Sequence, residues 1–330
     1  PPRRRLTIVQ QIKLFHGGLT TMSRKRVSIL FAGAILMFVM AAGKSPMVTY
    51  TSIDHEGAKS ISASGINARG EIVGSYTDNA NVTHGFLKSG DSFVTIDYPD
   101  AVATQARGIN PRGDIVGTYQ GPDRLKPGSG GDIHGFLLRA GTSIFEAINY
   151  PGHMNTIAQR ITANGLIFGC YHDRDTMNSM YGILRLTDGS FIALDGGEDG
   201  LNVPASMNNG ATPDGGVITG LYTDMTGKSR SYIISGGTFT PFDVPGSIAT
   251  SAWDMNPSGE IVGVYTDAKL KVHGFLMTRG QFFTIDYPQE GVQATQAFGI
   301  NPRGDVVGSY RDSAGVTHGF LLTGTRHLRD

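Results

Sequence analysis

Four histidines stand in one recurring phrase. His84, His134, His273 and His318 each precede Gly-Phe-Leu. Imidazole is a common metal ligand, so a set of four invites a metal reading. Ligands of one ion must converge on one point, however. Residues at equivalent places in repeated units are spread apart instead. The expectation is therefore a structural hydrogen bond from each imidazole to a neighbouring loop, with no shared metal and no cofactor. Aspartates recur as well. Asp78, Asp224 and Asp267 end a Tyr-Thr-Asp phrase, with Asp173 and Asp312 in related places. Asp97, Asp195, Asp243 and Asp286 close another phrase. Two carboxylates per unit on one face would suit a cation or sugar hydroxyls. Locking of each local turn by an aspartate acceptor is the simpler expectation. The D-x-D-x-D-G pattern of a calcium loop is absent.

A different signal comes from one position that changes chemistry while its surroundings stay constant. Two residues before a recurrent Ile or Met stand Ser64, Arg107, Gln159, Ala205, Trp253 and Phe298. Arg107, Gln159, Trp253 and Phe298 are candidate ligand-binding residues, because together they would line a mixed polar and aromatic pocket. Packing between sheets is the competing expectation for the two aromatics. Two loops also depart from the repeat. Residues 120–133 carry a Gly- and Pro-rich insertion, and His172-Asp173-Arg174-Asp175 opens the corresponding loop of the next unit. Lengthened loops on a rigid frame often carry binding function. Cys170, the one cysteine, reads as a buried small residue without a base partner. No Ser/His/Asp order, paired-carboxylate signature or phosphate loop stands out, so no catalytic residue is assigned.

The elements that position these residues follow from self-similarity. The phrase from Gly65 to Tyr76 recurs at 108–119 and 299–310, and with drift at 254–265. Weaker copies end at Tyr171 and Tyr222. Tyrosines 76, 119, 171, 222, 265 and 310 thus index six units, spaced 43 to 52 residues apart. Each unit predicts four short strands: A around Gly-Ile-Asn, B at Ile-Val-Gly-x-Tyr, C at His-Gly-Phe-Leu, and D at Phe-x-x-Ile-Asp-Tyr-Pro. Asn-Pro-Arg-Gly at 110–113 and 301–304 is a strong A-to-B turn, with Pro at its first corner and Gly taking positive φ. The Pro after strand D cannot donate to a ladder and ends the strand.

The chain ends suggest closure. After the strand C that ends at Leu322 no strand D follows, yet Tyr50-Thr51-Ser52-Ile53-Asp54 matches the end of a strand D. The predicted fold is all-β: a six-bladed β-propeller of four-stranded blades, closed by an N-terminal strand that completes the last blade. Closure of this kind leaves only short, protected edges. Strand A would line the central tunnel, and the B-to-C and D-to-A loops would share one face.

The alternation of I-N-x-x-G-x-I-V-G-x-Y with H-G-F-L resembles the bacterial extracellular HAF-type repeat proteins, over about residues 48–322. Tyr181 and Ser231 depart from the pattern where histidine would stand. The resemblance implies a propeller-like fold and a location outside the cytoplasm. It implies no reaction.

The N-terminus agrees with export. Ser23-Arg24-Lys25-Arg26 is a basic opening after Met22, Val27 to Met40 is apolar and uncharged, and Ala41-Ala42-Gly43 offers a cleavage site. Residues 22–43 read as a signal peptide, 1–21 as an upstream extension, 48–322 as one propeller domain and 323–330 as a tail. Basic and acidic residues balance at 28 each, which argues against a nucleic-acid partner. The expected protein is a secreted monomeric binding or interaction module. Its ligand, a glycan or a protein, would sit at the tunnel mouth, with no membrane insertion after cleavage. The alternative is an extracellular glycan hydrolase or lyase using loop-face carboxylates, which would need an acid/base pair about 5–10 Å apart.

Overall fold

The computed structural model describes residues 48–122, 130–172, 180–193 and 206–326. The leader, the centres of the two unusual loops, and Asp173, Asp195 and Ala205 lie outside the described residues.

All described regular structure is strand, apart from one short helical turn at 325–326. A first N-terminal strand, β1 (Thr49–Ile53), precedes an antiparallel unit of β2 (Ala58–Ile66), β3 (Ile72–Asp78), β4 (Thr83–Ser89) and β5 (Ser92–Ile96). The next unit is β6 (Ala103–Ile109), β7 (Ile115–Pro122), β8 (Gly130–Leu138) and β9 (Phe145–Ile148). It is followed by β10 (Asn155–Ile161), β11 (Ile167–His172), β12 (Tyr181–Arg185) and β13 (Phe191–Ala193). Then come β14 (Ser206–Ala211), β15 (Val217–Thr223), β16 (Ser229–Ser235) and β17 (Thr238–Phe242). A further unit holds β18 (Ala249–Met255), β19 (Ile261–Thr266), β20 (Val272–Thr278) and β21 (Gln281–Ile285). The chain ends in β22 (Ala294–Ile300), β23 (Val306–Arg311) and β24 (Thr317–Thr323). The missing fourth strand of that last unit is β1, paired antiparallel to β24 from Thr49↔Thr323 to Ile53↔Gly319. Single parallel pairs, Thr83↔Ala103 and Val272↔Ala294, join neighbouring units at two places.

The repeated residues explain the packing. In strand B the glycine is obligatory: a Cβ on Gly74 would stand 2.0 Å from Ser62 O and 2.7 Å from the Phe86 ring. The Phe of His-Gly-Phe thus lies over the Gly of strand B. Phe86, Phe136, Phe275 and Phe320 are all fully buried this way, each contributing about 1.5–3 kcal/mol by burial.

The A-to-B turns link successive units. Asn67 Oδ1 accepts from the backbone N–H of Arg69 and Glu71, at 2.9 and 3.1 Å, and so holds its own turn. Its Nδ2 donates to Asn110 O in the next unit at 3.2 Å. Asn256 repeats this toward Asn301 O, and Asn301 toward Asn67 O, at 3.2 and 3.3 Å. The turn arginines add a second link: Arg69 Nη1 donates to Pro111 O, Arg112 to Ala163 O and Arg303 to Ala68 O. The last unit is therefore tied to the first by the same bonds that tie the first to the second. The I-N-x-R-G phrase recurs because it serves both its own turn and its neighbour.

Removing residues 48–54 takes away β1 and bares the edge of β24, so the shortened protein should melt at lower temperature and aggregate. Thermal denaturation with light scattering, against the intact chain, checks this; an unchanged melting curve would refute it.

Candidate functional site

Each inner strand slips register at an equivalent place, and β2 slips once more between Ala58 and Ser60. The slips fall between Ala63/Gly65, Ala106/Gly108, Ala158/Arg160, Asn208/Gly210, Ala252/Asp254 and Ala297/Gly299. The residue left over is Ser64, Arg107, Gln159, Asn209, Trp253 or Phe298. The variable position of the repeat is thus a β-bulge, where an unpaired residue is freed from the ladder and re-aimed. Its fourth member is Asn209, not Ala205. Ala211 stands where the other units carry Ile or Met, so the alignment anchor was missing. Asn209 is buried, and its Nδ2 donates to Ala252 O of the next unit at 2.8 Å.

The bulge residues meet in two pairs. Arg107 Nη1 donates to Gln159 Oε1 at 3.1 Å, Nη2 to Gln105 Oε1 at 2.7 Å, and Nε to Thr118 Oγ1 at 3.3 Å. Trp253 and Phe298 form an edge contact, with ring centroids 5.4 Å apart and planes at 89°. Gln159 is buried, whereas Arg107, Trp253 and Phe298 are half-buried. Trp253 also packs beside the buried cluster of Ile157, Cys170 and Met207. Cys170 lies beneath Arg107 as a buried thiol, its pKa pushed up to about 12 by burial.

What joins the pairs is a residue the sequence reading passed over. The position after the bulge is Gly65, Gly108, Gly210 and Gly299 in four units, but Arg160 and Asp254 in the other two. Arg160 reaches across to four carbonyls. Its Nη1 donates to Arg107 O and Gln159 O, at 2.6 and 2.8 Å. Its Nη2 donates to Ser64 O, at 2.9 Å, and to Phe298 O. Its Nε faces Asp254 Oδ1 at 3.4 Å, and Asp254 Oδ2 accepts from Ile300 N at 3.0 Å. One guanidinium thus touches β2, β6, β10, β18 and β22. Burial pushes the Asp254 carboxyl up and the Arg160 guanidinium down, while their mutual attraction opposes both shifts. The signal was available: two opposite charges replace glycine at equivalent positions, as paired departures from a repeat would.

Two small hollows flank this pair. On the A-to-B turn side, a cavity of about 100 Å³ has Arg160 and Asp254 among apolar neighbours such as Ile66, Ile109, Ile161 and Pro302. On the side of the B-to-C loops, a cavity of about 90 Å³ is lined by Gln105, Arg107, Thr118, Gln120, Ile133 and Ile157, among others. Of the four candidate binding residues Arg107 alone lines the second hollow; Gln159, Trp253 and Phe298 do not.

The recurring histidines sit far outside this centre and hold strand ends. His84 lies between Asp97, 2.9 Å from Nδ1, and Asp78, 3.5 Å from Nε2. His273 lies likewise between Asp286 and Asp267, at 2.8 and 3.5 Å. His318 lies between Asp54 and Asp312, at 2.6 and 3.3 Å. His134 meets Asn149 at 2.8 Å instead. Each imidazole also stacks on or tilts over the unit's indexing tyrosine, about 5 Å away. Where Ser231 replaces histidine, Arg230 donates to Asp243 at 2.7 Å and approaches Asp224 at 4.0 Å. The loop aspartates thus serve two ends. Asp78 Oδ1 accepts from Val82 N and Asp312 Oδ1 from Val316 N, as turn locks, while the second oxygen faces the imidazole. Those described loop-face carboxylates are engaged within their own blades, and none is paired with another as an acid/base couple.

Two outcomes follow from these geometries. Arg160→Gly and Asp254→Gly each strand a buried charge and should each cost about 3–5 kcal/mol. The double variant restores the glycine of the other units and should cost clearly less than the sum, by about 1–3 kcal/mol of coupling. Urea denaturation of the four proteins measures it; simple additivity would refute the pairing. The second concerns pH. Burial works against the charged His318, but the hydrogen bonds it donates to Asp54 and Asp312 outweigh it and raise its pKa. That contribution is complete below the ordinary histidine value of 6.5 and is lost as pH rises through the raised folded value. Asp312 is held low, chiefly by the Val316 N–H, so its contribution is complete above 3.8 and is lost as pH falls through the lowered value. The clamp on β1 is therefore fully formed between about pH 4 and 6.5. An NMR titration of His318 should give a pKa above that of the His318 peptide, falling back in Asp54→Asn.

No protein-family profile and no curated protein sequence matches the chain. Among solved structures it is similar to TolB from Acinetobacter baumannii, with a TM-score of 0.52 and 12% identity. That match covers 77% of this chain and 63% of the TolB chain, so the chain spans under two thirds of that protein's length. It is also similar to AofleA from Arthrobotrys oligospora, with a TM-score of 0.51 and 12% identity over 83% of this chain and 86% of the other. At such identity the likeness speaks for fold alone. This chain is an all-β protein of four-stranded sheets whose structural neighbours are β-propellers.

Proposed function

We propose that the chain is a closed six-bladed β-propeller acting outside the cytoplasm as a binding module, with its ligand seated at the axial mouth among Arg107, Gln159, Trp253 and Phe298. Closure rests on β1 completing the unit of β24, and on the Asn301 and Arg303 bonds that reach the first unit. Export rests on the basic and apolar pattern of 22–43, and agrees with the resemblance to HAF-type repeat proteins. Among the described residues no helix is long and apolar enough to cross a membrane. The protein acts as a monomer.

The observation that carries the binding reading is the bulge ring itself. Five different side-chain chemistries occupy one re-aimed position of a repeat, and Arg107, Trp253 and Phe298 among them stay partly open to solvent. Position-by-position variety at the axis is what a site for one asymmetric ligand requires. A half-buried Trp edge beside polar donors suits a glycan or an aromatic-bearing peptide. A hydrolase or lyase would need two facing carboxylates. Among the described residues of the inner strands the one carboxylate is Asp254, already paired with Arg160.

Arg107→Ala and Trp253→Ala should each weaken binding at least about tenfold, which corresponds to about 1.4 kcal/mol. The measurement is a screen of the exported protein against cell-wall and plant-type glycans, followed by titration of the hits. Unchanged affinity in both variants, with native circular dichroism, would move the site elsewhere.

A further inference from the structure

Among the described residues Arg107 is a cation without a counter-charge. Its three hydrogen-bond partners, Gln159 Oε1, Gln105 Oε1 and Thr118 Oγ1, are all neutral. Among the described residues no carboxylate lies within ion-pair reach of it. The next charge toward the centre is Arg160, which repels it, and Asp254, the one carboxylate of the described inner strands, is spent on Arg160. The inner strands therefore carry one positive charge in excess at this point, in a chain whose total formal charge is zero. Burial pushes the Arg107 guanidinium down to about 10, so it is still charged at neutral pH.

The neighbours complete a donor-rich wall. Because both glutamines offer their Oε1 to Arg107, each retains an Nε2 amide that donates no hydrogen bond among the described residues. Gln159 is 2% exposed, so its position beside Arg107 is fixed by packing. Guanidinium is the group best fitted to a carboxylate, through two parallel hydrogen bonds. The adjoining cavity of about 90 Å³ has space for a small group only, and Thr118, Gln120 and Gln105 give it hydroxyl and amide partners beside Ile133 and Ile157.

We propose that the axial site recognises the carboxylate of a sugar acid, a uronate residue, with Arg107 as the anion anchor and Gln105 and Gln159 as flanking donors. This rests on the axial-mouth reading above and narrows it to one ligand class. Neutral partners around Arg107 hold it extended without quenching its charge. The charge is then available to the ligand.

Sodium glucuronate and galacturonate, with glucose and sodium sulfate as controls, test the proposal by calorimetry and thermal shift on the purified protein. The uronates should bind and raise the melting temperature, and glucose should do neither. Arg107→Gln should lower uronate affinity at least tenfold. Gln159→Glu places a carboxylate where Arg107 already donates. It should raise the melting temperature of the free protein and abolish uronate binding, and it remains informative if Arg107→Gln fails to fold. A lowered melting temperature in Gln159→Glu would overturn the uncompensated charge. Sulfate binding as tightly as the uronates would overturn the sugar-acid assignment. A neutral glycan lost in Trp253→Ala but retained in Arg107→Gln would overturn the anion inference while leaving the axial site standing. Uronate binding indifferent to both Arg107→Gln and Gln159→Glu would overturn the inference at this site.

Discussion

The fold converges on one guanidinium. A β-bulge in every inner strand turns backbone carbonyls out of their ladders, and they need donors where the strands meet. Arg160 supplies four N–H bonds to carbonyls of β2, β6, β10 and β22 and directs its fifth N–H toward Asp254. A lysine could offer only three donors from one point, without the planar fork that reaches several strands at once. The cost of burying the cation is offset by Asp254, which is itself fixed by Ile300 N. Glycine at the same position in the other units is the complementary condition. A Cβ on Gly108 would stand 3.0 Å from Arg160 Cα, and one on Gly299 would stand 2.9 Å from Ser64 O. Small residues all round leave space for one large polar one.

A second set of interactions works at the opposite end of each sheet. There a nitrogen-bearing side chain is held between the loop after strand B and the end of strand D. Histidine fills the role in the units of β4, β20 and β24, and Arg230 fills it beside β17. The role survives a change of residue and a shift of one position, so it calls for a partner to the aspartates rather than for one shape. In the unit closed by β1 the clamp gains a further duty. Asp54 and His318 are far apart in sequence, so this ion pair fastens the N-terminal strand to the C-terminal one.

Much of this was legible in the sequence because repetition substitutes for comparison. Strand count, the role of the histidines and the pairing of β1 with β24 all follow from phrases in register. The repeat loses its frame where it is faint. In the fourth unit Ala211 replaces the anchoring Ile, so the spacing points to Ala205 where the bulge residue is Asn209. The Arg160–Asp254 pair is hidden for another reason. The bulge column varies in every unit, whereas the informative column is constant except twice. Sequence distance hides the pair as well: 94 residues separate 160 from 254, and only the packing of the inner strands brings them within 3.4 Å.

The central pair also decides what kind of site the axis can be. A through-passage is not available where a guanidinium spans the inner strands, so the two hollows are separate and differ in character. The turn-side hollow meets the paired charges through Ile, Pro and Met walls, and the electrostatics there are already balanced. The loop-side hollow meets Arg107, whose charge is held in place by amide and hydroxyl oxygens that position it without cancelling it. Arg160 fixes Arg107 in turn, by binding its backbone carbonyl rather than its side chain. Arg160 thus satisfies the bulged strands, while among the described residues no carboxylate pairs with Arg107. Asymmetry enters a repeated fold here. Equivalent units supply the frame, and two opposite charges that replace glycine at equivalent positions tie the inner strands together.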